Sequence, residues 1–445
     1  MNTTLAAAAE MMHGSLHGDD ASFDGVCTDT RTLEAGQLFV ALSGPNFDAH
    51  DFIASAAERG AAGAVVSRLV DESVSQIIVD DTLAALGRLG SAWRELQPAT
   101  VIGITGSNGK TTLKELTAAC LQQVASTLAT QGNLNNEIGM PLMLTRIDAN
   151  CRFAVIEMGA NHIGEIGYLT SLAQPDVVAI TNAGPAHLEG FGSIEGVAAG
   201  KGEILDSGKP PAAAVLNADD RYFDYWCSRV GDTRVISFGR DGNADVYASG
   251  VETQGGQTHF TMHLLGSELP VALPLAGRHN VINACAAAAI ATALDVPAEK
   301  IKAGLESVAP VGGRLVPLTA KGGATLYDDS YNANPVSVTA AGEFLAGLPG
   351  RSWFVLGDMK ELGDDAMDMH REVGVALRRA GIDRLAATGE LCRATVQGFG
   401  DGADWYADVD EMIDDLSSEL GDDVNILVKG SRSMRMERVV QALEA

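Results

Sequence analysis

Residues 101–112 read Val-Ile-Gly-Ile-Thr-Gly-Ser-Asn-Gly-Lys-Thr-Thr, an apolar stretch that runs into a glycine-rich turn ending in Gly-Lys-Thr. The apolar half predicts a buried β-strand, and the pattern from Leu113 to Leu121 predicts a helix directly after the turn. A strand, turn and helix in this order place backbone N–H groups and the positive end of a helix around a polyphosphate. The stretch therefore predicts a nucleotide-binding α/β domain. The alternative is a chance Gly-Lys-Thr in a surface turn.

The loop departs at one position from the usual spacing G-x-x-x-x-G-K-[ST], which requires a glycine at position 104. That position is Ile104, and the nearest glycine, Gly103, lies one residue early. Small residues in the turn still let backbone N–H groups close around phosphate, the lysine supplies charge, and the threonine hydroxyl suits Mg²⁺. The predicted nucleotide-binding residues of this loop are Thr105, Gly106, Ser107, Asn108, Gly109, Lys110, Thr111 and Thr112.

The composition limits the classes of partner. The chain has 445 residues, too many for one core, and carries 58 acidic against 31 basic residues for a net charge of −27. Such an acidic surface repels nucleic acid and anionic membrane, so phosphate must be bound by local sites. Six widely spaced cysteines without a C-x-x-C pair, and an N-terminus without a basic leader, predict a cytoplasmic protein with reduced thiols. We expect no membrane insertion, and we expect a monomer.

The order of predicted elements divides the chain into three α/β domains. Short alternating strands and helices occupy residues 1–82, a small N-terminal domain. A β-α-β pattern fills residues 83–311, with buried runs at Phe153–Glu157 and Val177–Thr181 that are typical of a parallel sheet. Residues 309–313 form a predicted hinge, and residues 312–445 resume the alternation as a Rossmann-like domain.

Residues 244–275 interrupt this pattern with alternating polar and apolar positions around Gly255-Gly256. This alternation predicts a small antiparallel extension of the central sheet. His259 and His263 lie here at a spacing that suggests zinc. The strand-like surroundings argue against a zinc site, and we expect both histidines to share an exposed face.

Two predicted strand ends after the loop carry residues that suit metal chemistry. Glu157 lies at the carboxyl end of a strand, where open α/β sheets bind ligands, although a solvated strand-end acid is the alternative. His187 follows the next strand and a Gly-Pro turn, and suits a metal ligand, a phosphate contact or neither role. Lys201 lies fourteen residues further on, and its composition alone indicates a solvated lysine.

Three further positions suit a nucleotide. Asn280 precedes an alanine-rich helix, where its amide fits either a base edge or a helix N-cap. Arg314 follows the hinge and either reaches a γ-phosphate across a cleft or lies on the surface. Asp329 belongs to the segment 327–335, which ends a strand with carboxylates and amides and is either a ligand site or a turn rich in Asn and Pro.

In chain order, these motifs resemble those of the Mur ligase family over essentially the whole chain. Thr28-Asp29-Thr30-Arg31 and His50-Asp51-Phe52 are similar to its N-terminal UDP-sugar domain. Residues 105–111 resemble the family's own version of the phosphate loop, which lacks the glycine at position 104. Asp328–Pro335 and Leu356–Gly363 resemble the members that add D-alanyl-D-alanine, whereas members adding the third amino acid carry an Asn-Pro-Arg signature.

The resemblance implies roles residue by residue. It implies that two Mg²⁺ ions are held by Thr111, Glu157, His187 and a carbamylated Lys201. It implies an adenine contact at Asn280, a phosphate contact at Arg314 and a ribose contact at Asp329. The implied catalytic residues are Lys110, Glu157, His187, Lys201 and Arg314, and the implied substrate contacts are Thr30, Arg31, Asn135, Asn136, Asn332 and Asn334. Residues 429–432 match the region that binds the amine substrate, without individual roles.

The activity that the resemblance implies is ATP-dependent amide ligation. D-alanyl-D-alanine would be joined to UDP-N-acetylmuramoyl-tripeptide through an acyl phosphate, giving the pentapeptide precursor of peptidoglycan. One alternative is another ligase of the superfamily, which adds the third residue or extends folate with glutamate. A second alternative is a nucleotide-switch binding module, although the chain lacks the Asn-Lys-x-Asp signature of GTPases.

Overall fold

The computed structural model describes residues 1–71, 73–206, 208–254 and 256–445. Three α/β domains follow one another along the chain, as predicted, each around its own sheet. Gly255 of the predicted turn lies outside the described residues. None of the helices within these ranges has the length and apolarity that crossing a bilayer requires. All six cysteines carry free thiols.

The N-terminal domain is built on a small, mostly parallel sheet. Its strands are β1 (Asn2–Thr4), β2 (Ser15–His17), β3 (Ser22–Asp24), β4 (Val26–Cys27), β5 (Leu38–Val40), β6 (Ser43–Gly44), β7 (Phe47–Asp48), β8 (Gly63–Val66) and β9 (Gln76–Ile78). Its helices are α1 (Leu5–Met12) and α2 (Ile53–Glu58), with a 3₁₀ turn at Ala49–Phe52. The sheet has the order β2-β9-β8-β5-β4, in which only β2 is antiparallel to its neighbour.

Helix α3 (Thr82–Glu95) connects the first domain to the second. Its N-cap, Asp81, accepts hydrogen bonds from the N–H groups of Leu83 and Ala84, which starts the helix at this point. One face of α3 packs into the N-terminal core together with Leu142 of the central domain. The helix thus belongs to the packing of both domains, and the boundary at residue 82 stays a prediction.

The central domain carries the largest sheet. Its strands are β10 (Thr100–Thr105), β11 (Thr127–Ala129), β12 (Phe153–Glu157), β13 (Val177–Ile180), β14 (Ala213–Asn217), β15 (Arg234–Gly239), β16 (Val246–Gln254), β17 (Gln257–Leu264) and β18 (Ser267–Leu273). Its helices are α4 (Lys110–Gln122), α5 (Gly139–Leu144), α6 (Glu165–Ala173), α7 (Leu188–Phe191), α8 (Ile194–Gly202), α9 (Phe223–Cys227), α10 (Arg278–Ala293) and α11 (Ala298–Ser307), with a 3₁₀ turn at Glu203–Leu205.

The order of this sheet is β11-β12-β10-β13-β14-β15-β16-β17-β18. It is parallel from β11 to β16, and β16, β17 and β18 form the predicted antiparallel extension. β10 lies between β12 and β13, so the loop that follows it opens beside the carboxyl ends of both neighbours. His259 and His263 lie on one face of β17, four residues apart. His259 is exposed as expected, whereas His263 is partly buried and stacks on Tyr247.

The C-terminal domain is the predicted doubly wound unit. Its strands are β19 (Val316–Thr319), β20 (Thr325–Asp329), β21 (Arg351–Gly357), β22 (Arg384–Thr388), β23 (Ala403–Tyr406) and β24 (Val424–Lys429), in the order β19-β20-β24-β21-β22-β23. Its helices are α12 (Pro335–Ala346), α13 (Ala366–Ala380), α14 (Cys392–Phe399), α15 (Val409–Glu419) and α16 (Glu437–Leu443), with 3₁₀ turns at Lys321–Gly323, Gly363–Asp365 and Arg432–Met434. All strand pairs except β19–β20 are parallel. The boundary at residue 311 falls in the coil between α11 and β19, and stays a prediction.

Candidate active site

A cavity of about 1230 Å³ lies between the central and C-terminal domains. Ser107 and Glu157 reach it from the ends of β10 and β12, and Asp329 and Lys429 reach it from the ends of β20 and β24. The carboxyl edges of two parallel sheets therefore face one space, which is where open α/β sheets bind ligands. The cavity is large enough for a nucleotide and a second substrate together.

The phosphate loop has the backbone that its glycines predict. Gly106 has a φ of +142°, and a Cβ there would lie 1.9 Å from Oγ1 of Thr181, so this position requires glycine. Gly109 has a φ of +84° and precedes helix α4, whose first residue is Lys110. Nζ of Lys110 donates hydrogen bonds to the carbonyl oxygens of Gly106 at 2.7 Å and Ser107 at 3.3 Å. Burial lowers the pKa of this ammonium, Glu157 opposes the shift, and Arg314 adds to it.

Six of the eight predicted loop residues line the cavity: Ser107, Asn108, Gly109, Lys110, Thr111 and Thr112. Thr105 does not, because it is fully buried and its hydroxyl donates to the carbonyl of Met158 at 2.9 Å. Its side chain ties β10 to the end of β12 instead of facing a nucleotide. Gly106 does not line the cavity either, and its carbonyl oxygen accepts a hydrogen bond from Nζ of Lys110.

Glu157 is a buried carboxylate with one unsatisfied oxygen. Only 2% of its surface is exposed, so the alternative of a solvated acid is wrong. Oε1 accepts a hydrogen bond from Nδ2 of Asn135 at 2.8 Å, and Oε2 has no partner among the described residues. A buried carboxylate oxygen is costly unless a cation or donor satisfies it. The side chain therefore fits a hard divalent cation.

His187 lies at the N-cap of α7 with a φ of +55°, and its side chain lines the cavity. Its Nδ1 is hydrogen-bonded to Oε2 of Glu361, a residue of the C-terminal domain. This hydrogen bond holds the pKa of Glu361 below its usual value. The expected roles of His187 as a metal ligand or a phosphate contact stay predictions.

Lys201 is buried, with 1% of its surface exposed, so the composition-based expectation of a solvated lysine is wrong. Its Nζ donates to the carbonyl of Ala160 at 3.2 Å and lies 4.8 Å from the ring centroid of Phe191. Burial, together with the charge of Lys110, holds the pKa of Lys201 well below its usual value. Lys201 does not itself line the cavity, but Ala160 does.

Arg314 reaches from the C-terminal domain into the phosphate loop. Its Nη2 donates to the hydroxyl of Thr111 at 2.9 Å, and its guanidinium carbon lies 4.4 Å from the ring centroid of Tyr331. Its Nε is buried without a partner among the described residues. The alternative of a surface arginine is therefore wrong, and the guanidinium retains a donor for a bound anion.

The two positions expected near adenosine also face the cavity. Asn280 lies in the first turn of α10, and Gly277, not Asn280, is the N-cap. The amide of Asn280 donates to the carbonyl of Ala276 at 2.7 Å, so the N-cap alternative is wrong. Oδ2 of Asp329 accepts a hydrogen bond from Nζ of Lys429 at 2.6 Å.

Four of the six expected substrate contacts line the cavity: Asn135, Asn136, Asn332 and Asn334. Asn334 caps α12, and its Nδ2 donates across the domain boundary to Oδ1 of Asn108 at 2.6 Å. Thr30 and Arg31 lie apart from this cavity in the N-terminal domain. The side chain of Arg31 is 86% exposed and pairs with Asp29 at 2.6 Å.

The segment 356–363 resembles the family motif, but its sequence predicts no individual role for Lys360 or Glu361. In the structure this segment supplies Lys360 and Glu361 to the cavity. Buried Asp358 anchors it, accepting hydrogen bonds from Nζ of Lys360 at 2.8 Å and from the N–H of Cys392 at 2.9 Å. A polar run directly after a buried strand was the available signal.

Asp358, His370 and Cys392 place their ligand atoms within 4.8 Å of one another. Both ring nitrogens of His370 are already hydrogen-bonded. Nε2 accepts from the N–H of Met359 at 3.0 Å, and Nδ1 donates to the carbonyl of Ala366 at 2.7 Å. The cluster therefore holds the segment 356–363 in place and does not offer a free metal site.

Two family models match the chain. The Mur ligase middle domain matches residues 104–291, and the model described as Mur ligase, glutamate ligase domain matches residues 313–432. UDP-N-acetylmuramoyl-tripeptide--D-alanyl-D-alanine ligase of Escherichia coli K12 is 43% identical, with 100% of this chain and 99% of that protein covered. The Bacillus subtilis 168 enzyme of the same name is 35% identical, with 99% and 98% covered.

Solved structures of MurF enzymes share the fold of this chain. A crystal structure of MurF from Acinetobacter baumannii has a TM-score of 0.94 at 35% identity, with 99% of this chain and 98% of that chain covered. MurF ligase from Thermotoga maritima in complex with ADP has a TM-score of 0.84 at 28% identity, with 94% and 96% covered.

Proposed function

Because this chain belongs to the Mur ligase family, we propose that it joins D-alanyl-D-alanine to UDP-N-acetylmuramoyl-tripeptide with cleavage of ATP to ADP and phosphate. The observation that carries the proposal is the cavity in which the phosphate loop, the orphaned oxygen of Glu157 and the guanidinium of Arg314 converge. The names of the relatives that match over the whole chain support the choice of substrates.

The reaction overcomes the low electrophilicity of a carboxylate. Attack of the tripeptide carboxylate on the γ-phosphorus of ATP forms an acyl phosphate and releases ADP. The amine of D-alanyl-D-alanine then attacks the acyl carbon, loses a proton, and expels phosphate. Lys110 and Arg314 provide cationic donors beside the loop, where negative charge develops during phosphoryl transfer.

We propose that two magnesium ions bind here, because the buried Oε2 of Glu157 has no partner among the described residues and suits a hard cation. Thr111 and Glu157 would hold one ion, and His187 and a carbamylated Lys201 would hold the other. When bound, such ions neutralise phosphate charge and bring a carboxylate close to the γ-phosphate. Carbamylation suits Lys201, because its lowered pKa favours the neutral amine whose nitrogen bonds the carbon of CO₂ with loss of a proton. The resulting anionic oxygens suit a hard cation.

The remaining contacts follow the domains. Asn280 and Asp329 are proposed to bind the adenosine part of ATP, and Asn135 and Asn136 the peptide part of the acceptor. Asn332, Asn334 and the segment 429–432 are proposed for the C-terminal side of the cavity, where the dipeptide enters. Thr30 and Arg31 are proposed to bind the UDP-sugar. Because they lie in the N-terminal domain, the acceptor would have to be extended and span two domains. We further propose that the protein works as a cytoplasmic monomer.

The test is phosphate release from ATP with UDP-N-acetylmuramoyl-tripeptide, with and without D-alanyl-D-alanine. We expect release that depends on both substrates and a UDP-linked pentapeptide detected by mass spectrometry. Meso-diaminopimelate and glutamate serve as control amines, and turnover with either of them instead would indicate another ligase of the superfamily. Nucleotide binding without turnover on any amine would contradict the proposal.

A further inference from the structure

His187 and Glu361 meet across the boundary between the central and C-terminal domains. Oε2 of Glu361 is hydrogen-bonded to Nδ1 of His187, and the backbone carbonyl of Glu361 accepts the N–H of Glu189 at 3.4 Å. Both partners have left-handed backbones, with φ of +55° at His187 and +63° at Glu361. Non-glycine residues adopt this conformation only where the surrounding structure imposes it. The geometry on both sides of this contact is therefore strongly specified.

The C-terminal domain holds Glu361 firmly on its own side. The N–H of Lys360 donates to Oγ of Ser431 at 2.8 Å, and the N–H of Met359 donates to Nε2 of His370 at 3.0 Å. Asp358 anchors the start of the same segment through Cys392. Glu361 thus extends from a segment that is hydrogen-bonded within its own domain, and its position relative to His187 is set by how the two domains dock.

We propose that Glu361 is a positioning residue for His187 and completes the histidine's metal-binding geometry only when the C-terminal domain docks. The inference rests on the proposed function, which makes His187 a ligand. Metal-binding histidines commonly donate their second ring N–H to a carboxylate, which sets the tautomer and orients the ring. A hydrogen bond from Nδ1–H to Glu361 leaves Nε2 as the ligand atom, and no described residue hydrogen-bonds Nε2.

This arrangement couples metal binding to domain docking. The ligand belongs to the ATP-binding domain, whereas the carboxylate that orients it belongs to the domain proposed to bind the amine. In an arrangement with the C-terminal domain swung away, His187 lacks this partner and the second ion is held less well. An acyl phosphate is exposed to hydrolysis, so completing the site only in the docked state protects the intermediate.

The experiment compares Glu361→Ala and Glu361→Gln with the parent protein. Mn²⁺ affinity in the presence of ADP is measured by electron paramagnetic resonance, next to kcat and the KM for ATP. We expect Glu361→Ala to weaken the weaker Mn²⁺ site by about 10- to 100-fold and to lower kcat, with little change in KM. We expect Glu361→Gln to keep most of the affinity, because its amide oxygen accepts the same N–H.

Two controls separate positioning from folding. Glu268 lies 3.3 Å from Nδ1 of His263 on the β17–β18 hairpin, outside the cavity, so Glu268→Ala removes a matched carboxylate–histidine contact and should leave Mn²⁺ affinity unchanged. Glu361→Gly also deletes the carboxylate while fitting the left-handed backbone, and replaces the alanine variant if that variant is unstable.

In ¹⁵N-histidine spectra with Mg²⁺ and ADP, we expect an Nδ1–H tautomer at His187 that is lost in the variants without the carboxylate.

Equal Mn²⁺ affinities for the parent and the deletion variant would overturn the inference. So would a glutamine variant as defective as the deletion, because a simple ion pair would then explain the contact. Failure of the proposed function has a different signature: the parent protein would make no pentapeptide, while the Mn²⁺ and ¹⁵N measurements would still report on Glu361.

Discussion

Arg314 donates a hydrogen bond from Nη2 to the hydroxyl of Thr111 at 2.9 Å, although the two residues are 203 positions apart in the chain. Thr111 lies in the first turn of helix α4, and Arg314 lies just beyond the coil that leads into the C-terminal domain. The contact places the guanidinium of Arg314, a residue of the C-terminal domain, next to Thr111, which is a predicted magnesium ligand. The predicted nucleotide site and the contact between the two domains therefore share a residue pair.

Replacing Arg314 should impair catalysis more than folding. We expect Arg314→Ala to lower kcat by roughly 10²- to 10³-fold, because a cationic donor is lost where charge develops during phosphoryl transfer. Phosphate release under saturating substrates measures the effect. Arg351→Ala is the matched control, since Arg351 also stacks on an aromatic ring, that of Trp353, but lies on the surface in a pair with Asp423. Equal losses in both variants would contradict a role at the nucleotide.

Lys110→Ala should abolish ADP release, because no other loop side chain supplies a positive charge to the outer phosphates. Lys110 also holds the carbonyl oxygens of Gly106 and Ser107, so a weaker affinity for a fluorescent ADP analogue is expected as well. Lys302→Ala, which removes a lysine paired with Glu306 on helix α11, should leave both measurements unchanged. ADP release from Lys110→Ala at the parent rate would refute the assignment of the phosphate loop.

Lys201→Ala should be inactive and partly rescued by short carboxylates such as formate or acetate. The added anion would replace the oxygen ligand that the carbamate provides, and the missing side chain leaves space in a buried position for it. The rate of phosphate release is measured against carboxylate concentration. Full activity without any added carboxylate would rule out the carbamate role.

His370 should make stability depend on pH in the acidic range. Burial lowers the pKa of this fully buried histidine below its usual 6.5, so the unfolded state binds a proton at a higher pH than the folded state does. Stability should therefore be lost as pH falls from the unfolded pKa toward the lower folded pKa, with a slope of at most about 1.4 kcal/mol per pH unit. Urea unfolding of the parent and of His370→Gln between neutral and mildly acidic pH measures the difference. A parallel pH dependence in both proteins would contradict this role.

Local pattern was sufficient for much of the fold. The apolar run 101–105, its glycines and the following helix were recognisable because strand period, turn geometry and helix period are written in neighbouring residues. The same holds for the strands that end at Glu157 and Asp329 and for the antiparallel extension after residue 244. Motif order along the chain then indicated the family, which the comparisons confirm.

Local pattern failed where burial or pairing is decided by distant residues. Composition indicated a solvated Lys201, but the side chain is buried and contacts Phe191 and the carbonyl of Ala160. Asn280 fitted a helix cap equally well, and the chain path makes Gly277 the cap. The sequence predicted Thr105 as part of the nucleotide-binding loop, but its hydroxyl donates to the carbonyl of Met158, at the end of the neighbouring strand.

From its sequence alone, this protein's phosphate loop, strand ends and domain order were determined, because short stretches of chain encode them. Only the tertiary structure decided that Arg314 meets Thr111, that Glu361 meets His187 and that Thr30 and Arg31 lie apart from the cavity. The physical reason is that packing two separate sheets against each other brings together side chains far apart in sequence. No local periodicity in the sequence predicts which of these side chains will share the buried space between the domains.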